Sequence, residues 1–197
     1  IPSAAEEVMV ARDLVLAEYT GGHLHVAHVS TQGSLKMIRD AKRQGLRVTC
    51  EVAPHHFALT DKELARFDAS YKMNPPLRTP ADVEALLEGL ADGTVDAIAT
   101  DHAPHTLEDK DVELPIAAFG IIGLETALPL TLELLVNRKV ISLARAVELL
   151  TSGPARCFHL DRQGLGSLAV GAPADFTLVD LEAKVAVDRA FIQSRSF

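Results

Sequence analysis

The chain has 197 residues, a net charge of −8 and 48% hydrophobic residues. This length allows one domain with a sizeable core, and the apolar content excludes a disordered chain. The acidic charge argues against nucleic acid or an anionic membrane as a partner, and no apolar run is long enough to span a bilayer. Two cysteines, Cys50 and Cys157, predict a reducing compartment, the cytoplasm, and no disulfide framework.

The first half of the chain alternates predicted helices and strands. The first helix is predicted from an S-x-x-E capping box with Ser3 as N-cap, and from an apolar stripe of Val8, Ala11, Leu14 and Val15. The run HLHVAHVS then predicts a strand, because no turn residue interrupts it. A second helix, followed by Gly45, and a second strand, LRVTCEVA, repeat the alternation.

A longer excursion, residues 54–78, contains the double proline of KMNPPLR, which forbids regular structure there. A third helix is predicted with Thr79 as N-cap and Pro80 in its first turn, and the strand DAIATD follows. Helices and strands that alternate at this spacing indicate a parallel sheet, either open and doubly wound or closed into an eight-stranded barrel. No Gly-rich nucleotide-binding motif follows a strand, so a nucleotide-binding open sheet has no support.

Polar side chains follow the carboxyl ends of the predicted strands. They are His28, then Glu51, His55 and His56, then Asp101, His102 and His105. Parallel α/β folds build their sites at this edge, and histidines with a carboxylate on one rim suit Zn²⁺. Taken singly, His28 also reads as a core histidine, Asp101 as a helix N-cap and Asn74 as a turn residue. The residue types alone therefore indicate half of a metal site.

Motifs in a fixed order along nearly the whole chain resemble one family. They are IPSAAEEVMVARD, HVAHVST, CEVAPHHFALTD, KMNPPLR, ATDHAPH and AFGIIGLETALPL. Together they are similar to the C-terminal half of bacterial-type dihydroorotases, in the amidohydrolase superfamily. The later segment GSLAVGAPADFTLVD resembles the family's return to a small β-sandwich. Hydantoinases and allantoinases share some of these segments, but KMNPPLR and TDHAPH favour dihydroorotases.

The resemblance implies an α/β fold in which residues 1–160 form the C-terminal part of a (β/α)8 TIM barrel, its sixth to eighth strands with their helices. It implies that residues 161–197 form part of the small β-sandwich. The implied activity is the zinc-dependent, reversible hydrolysis of the cyclic amide of dihydroorotate to N-carbamoyl-L-aspartate, in de novo pyrimidine biosynthesis.

The same resemblance implies a role for each candidate site residue. His28 and Asp101 would bind the metal, and Asp101 would also be the catalytic acid and base. Asn74 and His105 would contact the substrate, as would the backbone of Phe119 and Gly120. His55 and His56 would lie outside the metal shell.

Several residues of the family's site do not occur in this chain: the H-x-H of the first strand, the bridging acid or carboxylated lysine of the fourth, the histidine of the fifth and the arginine that clamps the substrate carboxylate. We therefore expect a piece of a longer protein, inactive alone, whose site holds one or two zinc ions. We also expect a homo-oligomer. Two alternatives are a non-catalytic scaffold subunit for aspartate carbamoyltransferase and a hydantoinase- or allantoinase-type cyclic amidohydrolase.

Overall fold

The computed structural model describes residues 1–194. In chain order, the helices and strands are α1 (Ser3–Thr20), β1 (Leu24–Val26), α2 (Gln32–Arg43), β2 (Val48–Val52), α3 (Pro54–Ala58), α4 (Pro80–Asp92), β3 (Ala97–Ile98), α5 (Leu107–Lys110), α6 (Ala127–Leu130), α7 (Leu143–Leu150) and α8 (Ser152–Cys157). Shorter 3₁₀ segments cover Asp61–Arg66, Ala69–Tyr71 and Leu160–Gln163, and Thr131–Asn137 is π-helical. The excursion 54–78 thus contains short helices, while its double proline is irregular, as predicted.

The three strands form a parallel sheet in the order β1–β2–β3. Leu24 pairs with Val48, and Glu51 pairs with Ala97, so the carboxyl ends of all three strands lie at one edge. Side chains from the sheet and the helices, such as Ile38, Val52 and Leu86, are fully buried in one apolar core. The α/β class and the parallel sheet predicted from the alternation are confirmed.

Local capping signals explain where the helices begin and end. The Thr79 side chain accepts a hydrogen bond from the Asp82 backbone, and the Asp82 carboxylate accepts one from the Thr79 backbone, which completes a capping box at the start of α4. Gly93 then ends α4 at φ 84°, a left-handed conformation that glycine adopts without a Cβ clash. The predicted N-cap at Thr79 is confirmed.

The start of α1 differs from the prediction. Pro2 is the N-cap and makes no side-chain cap, so the capping box predicted at Ser3 is wrong. The Glu6 carboxylate instead accepts hydrogen bonds from the Ser30 and Thr31 backbones, because these buried groups offer stronger partners than the helix end.

The apolar stripe predicted on α1 is confirmed at Leu14 and wrong at Val8 and Val15. Val10, Leu14 and Ala17 are the buried residues, whereas Val8 and Val15 are 66% and 64% exposed. The helix carries apolar residues on more than one face, and only the face that meets the core is buried.

Two strands are shorter than their apolar runs. Within HLHVAHVS only Leu24–Val26 is extended, and within DAIATD only Ala97–Ile98. The following segments leave the sheet in left-handed turns at His28 (φ 52°) and Asp101 (φ 45°). The regular strands therefore end just before the polar residues His28 and Asp101.

That residues 161–197 form part of a small β-sandwich stays a prediction. Within 161–194 no strand occurs, and apolar side chains such as Leu168 and Leu178 are 82% and 90% exposed. A strand needs a pairing partner, and the described part of the chain offers none to this segment. Residues 195–197 lie outside the description, and the boundary at residue 160 stays a prediction. Within residues 1–194, the helices are too short or too polar to cross a membrane.

Candidate metal and active site

The carboxyl ends of the three strands bring one histidine and two carboxylates together. His28 follows β1, Glu51 lies at the end of β2, and Asp101 follows β3. His28 Nε2 lies 3.6 Å from Asp101 Oδ1, and His28 Nδ1 lies 3.0 Å from Glu51 Oε1. The two residues expected to bind the metal are therefore neighbours, although 73 positions separate them along the chain (101 minus 28).

The backbone at both of these residues is strained. His28 and Asp101 have φ values of 52° and 45°, a region that residues other than glycine rarely adopt. Strain of this kind is kept where the surrounding structure holds it in place, and it clusters at functional sites. Here it makes the chain turn directly after each strand, so that the two side chains face each other across the edge of the sheet.

The pair fits two positions of a zinc shell. Imidazole nitrogen and carboxylate oxygen both bind Zn²⁺, and two such atoms on one tetrahedral ion lie about 3.4 Å apart. The distance between His28 Nε2 and Asp101 Oδ1 is 3.6 Å, and Asp101 Oδ2 is buried with no hydrogen-bond partner among residues 1–194. Across the same residues no group of three or more side chains is arranged so that it could hold a metal ion, so further ligands would come from outside the described residues.

The alternative reading of Asp101 as a helix N-cap is wrong. The next helix, α5, has Thr106 as its N-cap, and the Thr106 hydroxyl donates to the Asp109 carboxylate at 3.0 Å. Asp101 therefore has no capping role that would account for a carboxylate at the end of an apolar strand.

Glu51 joins the site, although no role was predicted for it. Its side chain is 7% exposed, and Oε2 lies 3.2 Å from His25 Nε2 while Oε1 faces His28. Burial raises the pKa of Glu51, but hydrogen bonding to the two histidines outweighs it and brings the pKa to about 2. The carboxylate is thus ionised and holds the Nδ1 side of His28, which leaves Nε2 facing Asp101. The one sequence signal for Glu51 was a carboxylate in a buried strand, close to the carboxyl end of that strand.

His25 completes this network from the neighbouring strand position. Its Nδ1 lies 2.8 Å from Thr49 Oγ1, and hydrogen bonding to the Cys157 sulfur and to Glu51 raises its pKa to about 9. His25 therefore acts as a positively charged partner of Glu51 below that pH. It is a half-buried partner of Glu51, and that it lies outside an H-x-H metal motif stays a prediction.

His55 and His56 are both buried in α3, with ring centroids 4.3 Å apart. Burial lowers the pKa of His55 to about 3, so its ring stays neutral. His56 Nε2 donates a hydrogen bond to the Pro75 carbonyl at 2.9 Å, which ties α3 to the double-proline segment. That their place is outside the metal shell stays a prediction.

The residues expected to contact the substrate lie on linked loops. His105 Nε2 donates a hydrogen bond to the Phe119 carbonyl at 2.8 Å, and the Gly120 N–H donates one to the Lys72 carbonyl at 2.9 Å. Gly120 is required here, because a Cβ would lie 2.3 Å from the Ala103 carbonyl and 2.5 Å from the His105 ring. Asn74, two positions after Lys72, is exposed. The structure thus connects His105, Phe119 and Gly120 directly and brings the segment of Asn74 to them.

Two further residues of these motifs have structural roles. His102 Nδ1 accepts hydrogen bonds from the backbone of Gly123 and Leu124, which fixes the loop after Gly120. Arg78, the last residue of KMNPPLR, is buried and donates hydrogen bonds to Ser30 Oγ and to the Ile1 carbonyl. Arg78 therefore anchors the segment that carries Asn74.

Comparison with known proteins finds relatives that match nearly the whole chain. Over 195 residues the chain is 54% identical to a dihydroorotase of Geobacillus sp. strain WCH70, covering 99% of this chain and 45% of that protein. It is 56% identical over 197 residues to a dihydroorotase of Anaeromyxobacter dehalogenans, covering 99% of this chain and 45% of the relative. The chain therefore spans less than half the length of these curated relatives.

Solved structures with the same fold are hydantoinases. The L-hydantoinase of Arthrobacter aurescens matches with a TM-score of 0.83 and 34% identity, covering 88% of this chain and 39% of that one. The D-hydantoinase of Thermus sp. matches with a TM-score of 0.82 and 30% identity over the same shares. The model of the amidohydrolase family matches residues 1–196. Because that match covers nearly every residue, the chain belongs to the amidohydrolase family.

Proposed function

We propose that the complete protein containing this chain is a dihydroorotase, which hydrolyses dihydroorotate reversibly to N-carbamoyl-L-aspartate in pyrimidine biosynthesis. The observation that carries the proposal is the meeting of His28 and Asp101, 3.6 Å apart, within HVAHVST and ATDHAPH. The identity of 54% to a relative of that name supports it. Since the chain covers 45% of that relative, the activity is proposed for the complete protein.

The proposed reaction requires activation of both the carbonyl and the water, because an amide carbonyl is a weak electrophile and water a weak nucleophile at neutral pH. Bound Zn²⁺, which His28 and Asp101 would hold, polarises carbonyls and lowers the pKa of water from 15.7 to about 7. Asp101 accepts the proton of the attacking water and delivers it to the ring nitrogen as the C–N bond breaks. Glu51 keeps the His28 ring oriented, as hydrogen-bonded partners of metal-binding histidines do.

Substrate binding is assigned to the linked loops. Asn74 would donate a hydrogen bond to the substrate carboxylate, and His105 would contact the substrate beside the Phe119 carbonyl to which it is bonded. The Phe119 carbonyl accepts one bond from His105 and has a second lone pair for a ring N–H. The Gly120 N–H is already bonded to Lys72, so Gly120 would contact the ring through its carbonyl or by packing.

A hydantoinase-type activity is the second candidate, because the solved structures of this fold that match with TM-scores of 0.83 and 0.82 bear that name. The substrates differ in one group that the loops would recognise: dihydroorotate has a carboxylate, and dihydrouracil and hydantoin have none. A site built to bind that carboxylate rejects substrates that lack it.

The test is a substrate panel on the complete gene product, with bound metal measured on the same sample. We expect a zinc-containing enzyme whose kcat/KM for dihydroorotate exceeds that for dihydrouracil or hydantoin by at least about 10²-fold. A preference for hydantoin would replace our proposal with the second candidate. No turnover of any cyclic amide by a zinc-loaded sample would support the non-catalytic scaffold.

Other features of the complete protein are proposed with this function. They are one or two zinc ions per subunit, a cytoplasmic location, assembly as a homo-oligomer and, for the scaffold alternative, association with aspartate carbamoyltransferase. The C-terminal barrel position of this chain, strands six to eight, is proposed from the motif order.

A further inference from the structure

A buried lysine joins the loops that carry the expected substrate contacts. Lys110, the last residue of α5, is 5% exposed. Its ammonium group donates hydrogen bonds to the carbonyls of Gly120 at 2.9 Å, Ala118 at 3.0 Å and Lys72 at 3.4 Å. An ammonium group has three donors, so these three carbonyls satisfy it fully.

Burying the Lys110 ammonium group costs folding free energy. Burial lowers the pKa of Lys110, and the nearby charge of Lys72 lowers it further, so the fold bears a penalty for keeping a cation there. A neutral side chain of similar length would fill the same space without the cost of burying a charge. It would leave three carbonyls without their donor, and buried carbonyls are rarely left unpaired.

The three carbonyls belong to segments that carry three of the four residues assigned to substrate binding, Asn74, Phe119 and Gly120. Lys72 lies two positions before Asn74, and Ala118 and Gly120 flank Phe119. His105 joins the same group through its hydrogen bond to the Phe119 carbonyl. Lys72 extends the connection, since its own ammonium donates to the carbonyls of Pro115 and Ala117 and lies 4.4 Å from the Phe119 ring centroid.

We propose that Lys110 is a positioning residue for the substrate, which fixes the 117–120 loop against Lys72 so that Asn74, His105 and Phe119 face one ligand. The role rests on the proposed function for its substrate, but the attachment of the loop does not. Lys110 contacts neither His28 nor Asp101 in the network described above, so it acts on binding and leaves the reacting groups in place.

The test compares Lys110→Met with Lys36→Met in the complete gene product. Lys36 is a matched control, because its side chain is 73% exposed and pairs with Asp40 on the surface of α2. For Lys110→Met we expect the KM for dihydroorotate to rise at least about tenfold, with kcat within about threefold of wild type and zinc content unchanged. A residue needed only for folding would lower the active fraction, and so kcat, without this rise in KM.

Hydrogen exchange measures the attachment of the loop without any substrate. The amides of Ala118 and Gly120 donate to the carbonyls of Asp109 and Lys72, so loosening of the loop accelerates their exchange. We expect faster exchange at both amides in Lys110→Met and unchanged exchange in Lys36→Met.

Unchanged KM together with unchanged exchange would overturn the role of Lys110, as would a fall in kcat at constant KM. If the wild type does not turn over dihydroorotate, the proposed function fails and the exchange result alone decides whether Lys110 holds the loop. If Lys110→Met does not fold, Lys110→Gln decides, because its shorter side chain has two donors and leaves at least one of the three carbonyls unpaired. We expect KM and the exchange of both amides to rise above wild type, and values equal to wild type contradict the proposal.

Discussion

At Asp101 the backbone conformation, the burial and the charge all indicate a functional role. Its φ of 45° turns the side chain out of an apolar strand, and one carboxylate oxygen faces His28 Nε2. The other oxygen is buried without a hydrogen-bond partner among residues 1–194. Burying a carboxylate oxygen in this way is costly unless a ligand or a metal completes it. Glu51 supports the arrangement from the opposite side of the His28 ring.

Replacing Asp101 by Asn in the complete protein separates its proposed chemical role from its shape. If Asp101 moves the proton, kcat falls by at least about 10²-fold and KM changes much less, because binding is assigned to other residues. His105→Ala should show the opposite bias, with KM rising more than kcat falls. Steady-state kinetics in both directions, with zinc content measured, test this. A variant that keeps its zinc and a near-normal kcat would show that Asp101 is not the acid and base.

Elements with local signals were the ones that the sequence predicted well. The capping box at Thr79 and the glycine after α4 depend on neighbours within one turn, so they are readable from a few residues. The phase of α1 was not readable, because Val8 and Val15 are as apolar as Val10 and Leu14, and only tertiary contacts decide which are buried.

The residues of the candidate site also divide into those that the sequence could predict and those that it could not. His28 and Asp101 could be predicted, because their motifs and their places after apolar strands agree. The contacts of Glu51 and Lys110 could not, since each depends on residues brought from distant segments: Glu51 meets His28 across two strands, and Lys110 meets Lys72 across two loops. A strand carboxylate and a loop lysine usually face solvent, so neither residue type signals burial.

The central strand β2 supports a prediction on pH. Cys50 is fully buried there, its thiol donates to the Thr94 carbonyl at 3.3 Å, and burial raises the pKa of the thiol to about 12. An unfolded thiol ionises near pH 8.5. The stabilisation from the neutral thiol is therefore complete below about pH 8.5 and declines as the pH rises from there toward about 12.

Comparing wild type with Cys50→Ala by urea unfolding of the complete protein isolates this thiol. The difference in unfolding free energy between the two should shrink by about 2 kcal/mol between about pH 8 and pH 10, since the variant lacks the Cys50 thiol that the wild type ionises on unfolding. Val48→Ala, at another buried position of β2, is the control, and its difference from wild type should stay constant. A constant difference for Cys50→Ala as well would mean that the buried thiol is not held neutral.

At the scale of the whole molecule, the described chain leaves apolar surface and strand edges uncovered. On α1, Val8, Val15 and Leu16 are more than half exposed. Within residues 1–194, β1 and β3 each pair with β2 alone, so both outer edges of the sheet are open. Open edges and exposed apolar faces are surfaces on which further chain packs or copies associate. The relatives are long enough to include such further chain, since this chain covers 45% of each.

The 197-residue chain alone should therefore be inactive and should self-associate. A catalytic zinc site needs three protein ligands and an open position, and the described residues bring together two ligands, His28 and Asp101. Light scattering should show species larger than a monomer, and assays with added Zn²⁺ should show no hydrolysis of dihydroorotate, while the complete protein measured alongside is active. A monodisperse monomer with a sharp cooperative melt would contradict the first expectation. Zinc-dependent hydrolysis by the fragment, free of longer protein, would contradict the second and mean that the remaining ligands lie within this chain.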